Sequence, residues 1–299
     1  MSDSARQLAT IARALALQLG MSVREASSGR VHGGNINECH RLETERGSVF
    51  LKVADARVRS MLEAEAEGLR ELAGAGAVRV PKVLALGEAA GSAYMALEWI
   101  DFAPGKGEAE TRLGEELARQ HRSSATRFGW HRDNTIGSTG QQNAWADDWV
   151  AFFRERRLRP QLELARSKKT PARLQDRGAH LLDRLEQFFA TYRPMPSLLH
   201  GDLWGGNWAA DAHGEPVIFD PAVYFGDREA DLAMTRLFGG FGPGFYAAYE
   251  TAWRPDPGAP RRVALYNLYH VLNHLNLFGG AYARQAEAMI DRLLADLGH

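Results

Sequence analysis

Three polar residues in a short glycine-rich segment have the types and the spacing needed for phosphoryl transfer. The segment Leu-Leu-His-Gly-Asp-Leu-Trp-Gly-Gly-Asn, residues 198–207, fits the frame His-x-Asp-x-x-x-x-Asn with His200, Asp202 and Asn207. In that frame the aspartate orients an acceptor hydroxyl and takes its proton, and the asparagine binds magnesium. A simpler interpretation is that Asp202 and Asn207 hydrogen-bond their own loop, as these residue types often do.

A second carboxylate, Asp220, ends the apolar segment Val-Ile-Phe at residues 217–219. We predict that this segment pairs as a hairpin with residues 208–210 across the intervening turn. The hairpin brings Asp220 close to Asp202 and Asn207. Magnesium is usually bound by one or two carboxylates together with phosphate oxygens, so Asn207 and Asp220 are the predicted metal ligands. Three polar residues in one frame, followed by an aspartate at a strand end, favour the catalytic interpretation over the simpler one.

The N-terminal part of the chain contains candidates for phosphate binding, which requires cations and backbone amides. Lys52 lies in the apolar segment Val-Phe-Leu-Lys-Val at residues 49–53, like the phosphate-binding lysine on a kinase strand. The alternative is a lysine at a sheet edge that faces solvent. Gly33, Gly34 and Asn35 precede it and can lay backbone amides over phosphates. An ordinary turn explains two glycines as well.

A glutamate on a predicted helix supplies a partner for this lysine. Residues 61–72 predict a helix in which Glu65 shares the apolar face of Leu62. An unpaired carboxylate in an apolar environment costs several kcal/mol, whereas an exposed ion pair gives only about 0–1 kcal/mol. A glutamate on the buried face therefore needs a cation, and we predict an ion pair with Lys52. Glu63 is the alternative partner if the helix starts elsewhere.

The elements around these residues predict an α+β, two-lobed, protein-kinase-like fold. Residues 1–100 form the predicted nucleotide-binding lobe. It begins with an amphipathic helix at residues 1–20 and continues as an antiparallel sheet with one inserted helix. The predicted strands are residues 38–42, 48–53, 78–86 and 93–100. The last strand leads into a linker at residues 101–107, so that backbone groups of Glu98, Trp99 and Ile100 are predicted to bind the adenine base.

Residues 101–299 form the predicted catalytic and substrate-binding lobe, which is mostly helical. Helices are predicted at residues 110–122, 144–164, 174–192, 245–253, 261–278 and 284–297. In the second of these helices, packing accounts for Trp145, Asp148 and Trp149. The arginine-rich run at residues 154–159 is interpreted as a solvated helix face.

Composition excludes several classes of function. The chain of 299 residues has 36 basic and 37 acidic residues, a formal net charge of −1, so it has no basic excess for nucleic acid or an anionic membrane. Cys39 is the only cysteine, which rules out an intrachain disulfide and gives secretion no support. The sequence has no apolar run long enough to span a membrane. These features predict a cytoplasmic protein.

Taken together, the motifs resemble the fructosamine kinase (ketosamine kinase) family. The catalytic segment at residues 200–207 is the most specific part of the similarity, which covers nearly the whole chain. The other similar segments are residues 217–222, 224–232, 145–153, 238–241 and 269–279, with Arg157, Pro160, Gln161 and Leu162.

The resemblance implies a kinase that uses ATP and magnesium to phosphorylate the hydroxyl on the third sugar carbon of a ketosamine. It implies Asp202 as the general base, with Asn207 and Asp220 as metal ligands. It also implies that Trp204 lines the sugar-amine pocket, since an aromatic face suits both sugar C–H groups and an ammonium group. Packing of Trp204 beneath the loop is the alternative. The preferred sugar and amine, the choice between free and protein-bound substrate, and the oligomeric state stay open.

Two other functions compete with this interpretation. Aminoglycoside and choline kinases share the frame, although a polycationic substrate calls for several carboxylates around it. A catalytically silent nucleotide-binding scaffold is the alternative of another class, and a degenerate member would be expected to lack at least one of Lys52, Asp202, Asn207 and Asp220.

The sequence also departs from its relatives at two places. Some members of the family carry a cysteine in the phosphate loop that permits redox-linked dimers, whereas this chain has Asn35. Cys39 lies further along and is interpreted as a small buried hydrophobic residue. Asp220-Pro-Ala stands in place of the Asp-Phe-Gly of protein kinases, and no Ala-Pro-Glu follows.

Overall fold

A computed structural model describes residues 3–23 and 38–298 of the chain. Its first sheet has four antiparallel strands in the order β1-β2-β4-β3. The strands are β1 (Glu38–Thr44), β2 (Gly47–Asp55), β3 (Val83–Ala89) and β4 (Ser92–Glu98). On the central strand β2, Lys52 lies opposite Cys39 of β1 and Met95 of β4. The interpretation of Lys52 as an edge lysine facing solvent is therefore wrong.

Two helices cover the opposite faces of this sheet, α1 (Asp3–Leu19) and α2 (Arg59–Ala75). Side chains alternate between the faces of a strand. Leu51 and Val53 accordingly pack with α1, and the other face of the sheet packs with α2. The same alternation turns Lys52 toward α2, the helix that carries Glu65.

The remaining helices form a second lobe. They are α3 (Ala109–Gln120), α4 (Trp149–Phe153), α5 (Arg159–Ser167), α6 (Ala172–Leu182), α7 (Glu229–Leu237), α8 (Pro243–Ala252), α9 (Ala259–Phe278) and α10 (Tyr282–Ala295). We call the elements from α1 to β4 the N-terminal lobe and those from α3 onward the C-terminal lobe. The proposed boundary after residue 100 falls between β4 and α3. Within the described ranges, no helix has both the length and the apolar character needed to cross a bilayer.

Three short two-stranded sheets position loops in the C-terminal lobe. They pair β5 (Asn134–Ile136) with β6 (Thr139–Gln141), β7 (Ser197–Leu199) with β10 (Tyr224–Gly226), and β8 (Trp208–Ala210) with β9 (Pro216–Ile218). The β8–β9 hairpin is the one predicted from the sequence. It joins the catalytic segment to Asp220. Strand β7, just before the catalytic segment, pairs with β10, just after Asp220.

The predicted long helix at residues 144–164 is wrong at its start and in its middle. Helix α4 begins only at Trp149, and Asp148 caps it by accepting the backbone N–H of Ala151 at 2.7 Å. A π-helical turn, Arg154–Leu158, then separates α4 from α5. Within that turn Arg157 is fully buried and donates to Asn143 Oδ1 at 2.7 Å, so the arginine run is not a uniformly solvated face.

Other element boundaries also differ from prediction, two of them by several residues. The expected strand at residues 78–86 begins only at Val83, because Pro81 has no N–H to donate to a ladder. The expected helix at residues 174–192 ends at Leu182 and continues as the 3-10 helix Leu185–Phe189.

One glycine is required by the packing of α3 on α8. A Cβ atom at Gly114 would overlap the carbonyl oxygen of Phe245. We expect Gly114→Ala to lower the free energy of unfolding by about 1–3 kcal/mol, because two helix backbones would have to separate. Gly74→Ala is the matched control, since nothing lies within 4 Å of a Cβ on this α2 glycine. Urea titration of both variants measures the difference, and equal midpoints would contradict the packing argument.

Candidate active site

A buried lysine joins the two lobes at the centre of the molecule. Lys52 Nζ lies 2.5 Å from Glu65 Oε1 on α2 and 2.5 Å from Asp220 Oδ1 after β9. The side chain of Lys52 is 7% exposed and that of Glu65 13%. Glu63 pairs instead with Arg59 at 2.7 Å, so the alternative partner for the lysine is not used.

Opposing effects set the charge of this cluster. Burial by itself would lower the pKa of Lys52, but the charges of Asp220 and Glu65 outweigh it and raise the pKa well above its usual range. Lys52 therefore stays protonated. Burial raises the pKa of Glu65, although the charge of Lys52 opposes that effect. One ammonium group thus faces two carboxylates, an arrangement that leaves negative charge for a further cation to offset.

Asp220 has an unusual backbone conformation. Its φ is 56°, in the left-handed region that residues other than glycine seldom adopt. The residue before it, Phe219, donates its N–H to the carbonyl of Asn207 at 3.0 Å, which holds the end of the hairpin against the catalytic segment. Left-handed residues of this kind are strained, and such strain concentrates at functional sites.

Asn207 and Asp202 face each other across the catalytic loop. Asn207 Nδ2 donates to the backbone carbonyl of Asp202 at 2.9 Å and approaches its carboxylate Oδ2 at 3.3 Å. Burial, and then the negative charge of Asp220, raise the pKa of Asp202 to about 7. Its carboxyl is thus poised to gain or lose a proton near neutral pH, as a general base should be.

His200 is neutral and holds the catalytic loop in place through both of its ring nitrogens. Its Nδ1 accepts the backbone N–H of Asp202 at 3.2 Å, and its Nε2 lies 3.0 Å from the carbonyl oxygen of Phe219. Burial lowers the pKa of His200, in agreement with a ring that accepts at one nitrogen and donates at the other. The ring thereby ties the residue before Asp220 to Asp202.

Asp231 is a structural anchor that the sequence analysis did not single out. At the start of α7 it accepts the backbone N–H groups of His200 at 2.8 Å and Gly201 at 2.9 Å. His121 Nε2 lies 3.1 Å from the same carboxylate. Burial alone would raise the pKa of Asp231, but these contacts lower it below its usual range. The available signal was a pair of acidic residues, Glu229 and Asp231, in the first turn of a helical segment.

The residues predicted to bind the adenine base lie where β4 leaves the sheet. Glu98 is the last residue of β4, and its carboxylate is 2.7 Å from Arg79 Nη2. Trp99 donates to Asp101 at 2.8 Å, and Ile100 follows it in the connection to the C-terminal lobe. Their contact with a nucleotide stays a prediction. Gly33, Gly34 and Asn35 lie outside the described residues.

A cavity of about 590 Å³ opens beside Asp202 and Trp204. The ring of Trp204 is 39% exposed, lies over Gly206 and meets Phe238 edge-on with ring centroids 6.4 Å apart. It therefore lines the cavity, and packing beneath the loop does not account for its exposure. The other walls come from the β5–β6 turn and from α7, α9 and α10.

The sequence model of the fructosamine kinase family matches residues 7–296. The chain belongs to the fructosamine kinase family. The probable ketoamine kinase of Synechocystis sp. is 43% identical over 286 residues, which cover 95% of this chain and 96% of that protein. The chloroplastic protein-ribulosamine 3-kinase of Arabidopsis thaliana is 41% identical over 92% of this chain and 85% of its own length. Membership in this family makes the chain a phosphotransferase that acts on a hydroxyl.

Two solved structures are similar to nearly the whole chain. A crystal structure from Haemophilus somnus, assigned as a fructosamine-3-kinase, has a TM-score of 0.86 at 28% identity and covers 96% of this chain and 98% of its own. An aminoglycoside phosphotransferase superposes with a TM-score of 0.62 at 16% identity, over 96% of this chain and 98% of its own. The latter likeness concerns the fold alone, and it confirms the predicted protein-kinase-like architecture.

The single cysteine of the chain, Cys39, lies close to the lysine cluster. Cys39 is buried opposite Lys52, and burial raises the pKa of its thiol to about 11. A thiol in this state is protonated at neutral pH and a poor nucleophile. This accords with the interpretation of Cys39 as a small hydrophobic residue.

Proposed function

We propose that this fructosamine kinase uses ATP to phosphorylate the hydroxyl on the third sugar carbon of a ketosamine. One observation carries the proposal. Lys52, Asp220, Asn207 and Asp202 converge where the two lobes meet, and Asp202 alone of the four also lines the open cavity beside Trp204. The arrangement provides a phosphate side and an acceptor side that meet at one carboxylate.

On the acceptor side, Asp202 acts as the general base. Its carboxylate accepts a hydrogen bond from the sugar hydroxyl and orients the oxygen toward the phosphate. As the sugar oxygen bonds to the γ-phosphorus of ATP, the bond from that phosphorus to the bridging oxygen breaks and ADP leaves. Asp202 takes the hydroxyl proton, for which a pKa of about 7 is suitable. Asn207 and His200 hold this carboxylate and its backbone in place, so little reorganisation is needed during the reaction.

On the phosphate side, Lys52 binds phosphate oxygens and Glu65 keeps the lysine extended across the cleft. Magnesium fits the donors beside it, because the oxygens of Asp220 and Asn207 are the hard ligands that this ion prefers. Lys52 contacts one carboxylate oxygen of Asp220, and Asn207 uses its amide nitrogen toward Asp202, which assigns its amide oxygen to the metal. When bound, magnesium would neutralise charge on the transferred phosphate.

The composition of the cavity argues against a polycationic acceptor. Among the described residues that line it, Asp202 is the one carboxylate, and the rest of the wall is largely aromatic or aliphatic. An aminoglycoside carries several ammonium groups, each of which would lose water without a negative partner. Aromatic faces of Trp204 and Phe238 suit a single amine attached to a sugar. A silent scaffold is disfavoured because all four chemical groups are present and in contact.

A panel of acceptors tests the proposal. We expect measurable turnover with fructosyl-lysine or ribulosyl-lysine and a kcat/KM at least tenfold lower with kanamycin and choline, since unpaired charges in the cavity cost more than about 1.4 kcal/mol. Turnover of all four acceptors is measured as magnesium-dependent release of ADP. Phosphorus-31 NMR spectra of the product identify the carbon that is phosphorylated. Higher kcat/KM for kanamycin or choline would overturn the substrate assignment. Retained ATP binding without turnover of any hydroxyl acceptor would favour the scaffold.

A further inference from the structure

One wall of the acceptor cavity, the cavity beside Asp202 and Trp204, contains a histidine whose side chain makes no hydrogen bond to the described residues. His270, on α9, lines the cavity together with Asp202 and is 5% exposed. Within residues 3–23 and 38–298 its imidazole makes no hydrogen bond or ion pair, and its ring contact is with Tyr269, 5.2 Å between centroids. A buried polar side chain nearly always has a hydrogen-bond partner, so an unpaired one at a cavity wall calls for a partner from outside the chain.

The neighbouring polar groups of the wall are already used. Asn273 donates to the carbonyl of Ile136 at 3.3 Å and accepts from Gln161 at 3.4 Å. His274 has its Nδ1 2.8 Å from the backbone carbonyl of His270. These contacts stay within the protein. Of the buried α9 side chains that line the cavity, His270 is thus the one whose polar atoms have no hydrogen-bond partner among the described residues.

The charge state of His270 decides which ligand it can bind. Burial, and then the nearby His274, lower the pKa of His270 to about 3, so its ring is neutral in ordinary buffers. A neutral imidazole has one donor and one acceptor nitrogen. A sugar hydroxyl likewise donates one hydrogen bond and accepts others, whereas an anion or a cation would use only one of the two ring nitrogens.

We propose that His270 is a substrate-binding residue that hydrogen-bonds a hydroxyl of the ketosamine sugar other than the one that Asp202 holds. The two residues lie on different walls of one cavity, α9 and the catalytic loop, and a ketosamine sugar carries several hydroxyls. His270 therefore selects among sugars by their length and configuration, while Asp202 selects the reacting oxygen. This inference rests on the proposed function.

The test compares His270→Phe and His270→Gln with the wild type. The acceptors are fructosyl, ribulosyl and erythrulosyl adducts of one amine, Nα-acetyl-lysine, so that only the sugar changes. His270→Phe is expected to lower kcat/KM by roughly 10- to 100-fold for the sugar that presents the bound hydroxyl. It should have much less effect on the shorter sugar that lacks this hydroxyl, and KM for ATP should not change. His270→Gln, which can still donate and accept, should recover part of the selectivity.

The possible outcomes separate the role of His270 from the proposed function. A uniform loss over all three sugars, or no loss with any of them, would overturn the role of His270. If His270→Phe does not fold, as judged by its thermal transition, His270→Leu takes its place in the same comparison. Failure of the wild type to phosphorylate any ketosamine would overturn the proposed function itself. Wild-type turnover with unchanged sugar selectivity in the variants would overturn the inference alone.

Discussion

Asp202→Asn is expected to lower turnover by roughly 10²–10⁴-fold, because it removes the group that orients and deprotonates the acceptor hydroxyl. The amide has nearly the same shape, so the contact with Asn207 and the fold of the loop should survive. KM for ATP should change little, since Asp202 lies on the acceptor side. Steady-state kinetics over a range of ATP concentrations measures both quantities.

Stability provides the control for Asp202→Asn. A free aspartate has a pKa of about 4, whereas that of Asp202 in the folded, metal-free protein is about 7. This raised pKa means that folding is most favourable while Asp202 is protonated, and that the advantage is lost as pH rises from about 4 through 7. Because asparagine does not ionise, the variant does not lose this free energy of folding as pH rises. It should be more stable than the wild type at pH 8, with a smaller difference at pH 5. A variant less stable than the wild type at pH 8 would contradict the raised pKa of Asp202, and near-normal turnover would refute its role as general base.

Asp220→Asn is expected to lower turnover by roughly 10²–10³-fold by a different route, because it removes an anionic ligand that stabilises charge on the phosphates. Here KM for ATP should rise, and part of the loss should be recovered at higher magnesium. Asparagine is the informative substitution, since it tolerates the left-handed backbone at this position, where φ is 56°. A β-branched residue would add strain that obscures the chemistry.

The matched control for Asp220→Asn is Asp147→Asn. Asp147 is also an aspartate in an ion pair, 2.6 Å from Arg127, but its side chain is 83% exposed. This variant should keep wild-type kinetics and magnesium dependence. If Asp220→Asn showed the same magnesium dependence as Asp147→Asn, the assignment of Asp220 as a metal ligand would have to be abandoned.

The lysine–glutamate pair was predictable from the sequence because helical phase along α2 places Glu65 on an apolar face, and a buried charge needs a partner. In the fold, side-chain alternation along β2 turns Lys52 toward the same helix. The β8–β9 hairpin was also predictable, because two short apolar segments flank a polar turn. Lys52, Glu65 and Asp220 are thus close in space for reasons that are local in sequence. Their catalytic roles stay predictions.

The remaining features depend on contacts that no local pattern encodes. Asp231 holds the catalytic loop from a helix that the sequence analysis did not predict, because α7 is buried on several sides and shows little alternation between polar and apolar faces. In the π-helical turn at Arg154–Leu158, the buried Arg157 donates to Asn143, a contact that no local sequence pattern indicates. His270 looked like one of many histidines until the fold placed it at a cavity wall.

The way in which α7 is bonded sets how the two lobes can move. Asp231 holds the catalytic loop, and Glu229 on the same helix forms a buried ion pair with Arg262 of α9 at 2.7 Å. The loop that carries the proposed base and the proposed sugar-binding wall of α9 are therefore both tied to α7. The N-terminal lobe contacts the C-terminal lobe through ion pairs such as Lys52 with Asp220. We expect a hinge closure to carry the nucleotide toward a sugar that is already oriented, so that shutting the cleft controls when transfer occurs and leaves unchanged which hydroxyl reacts.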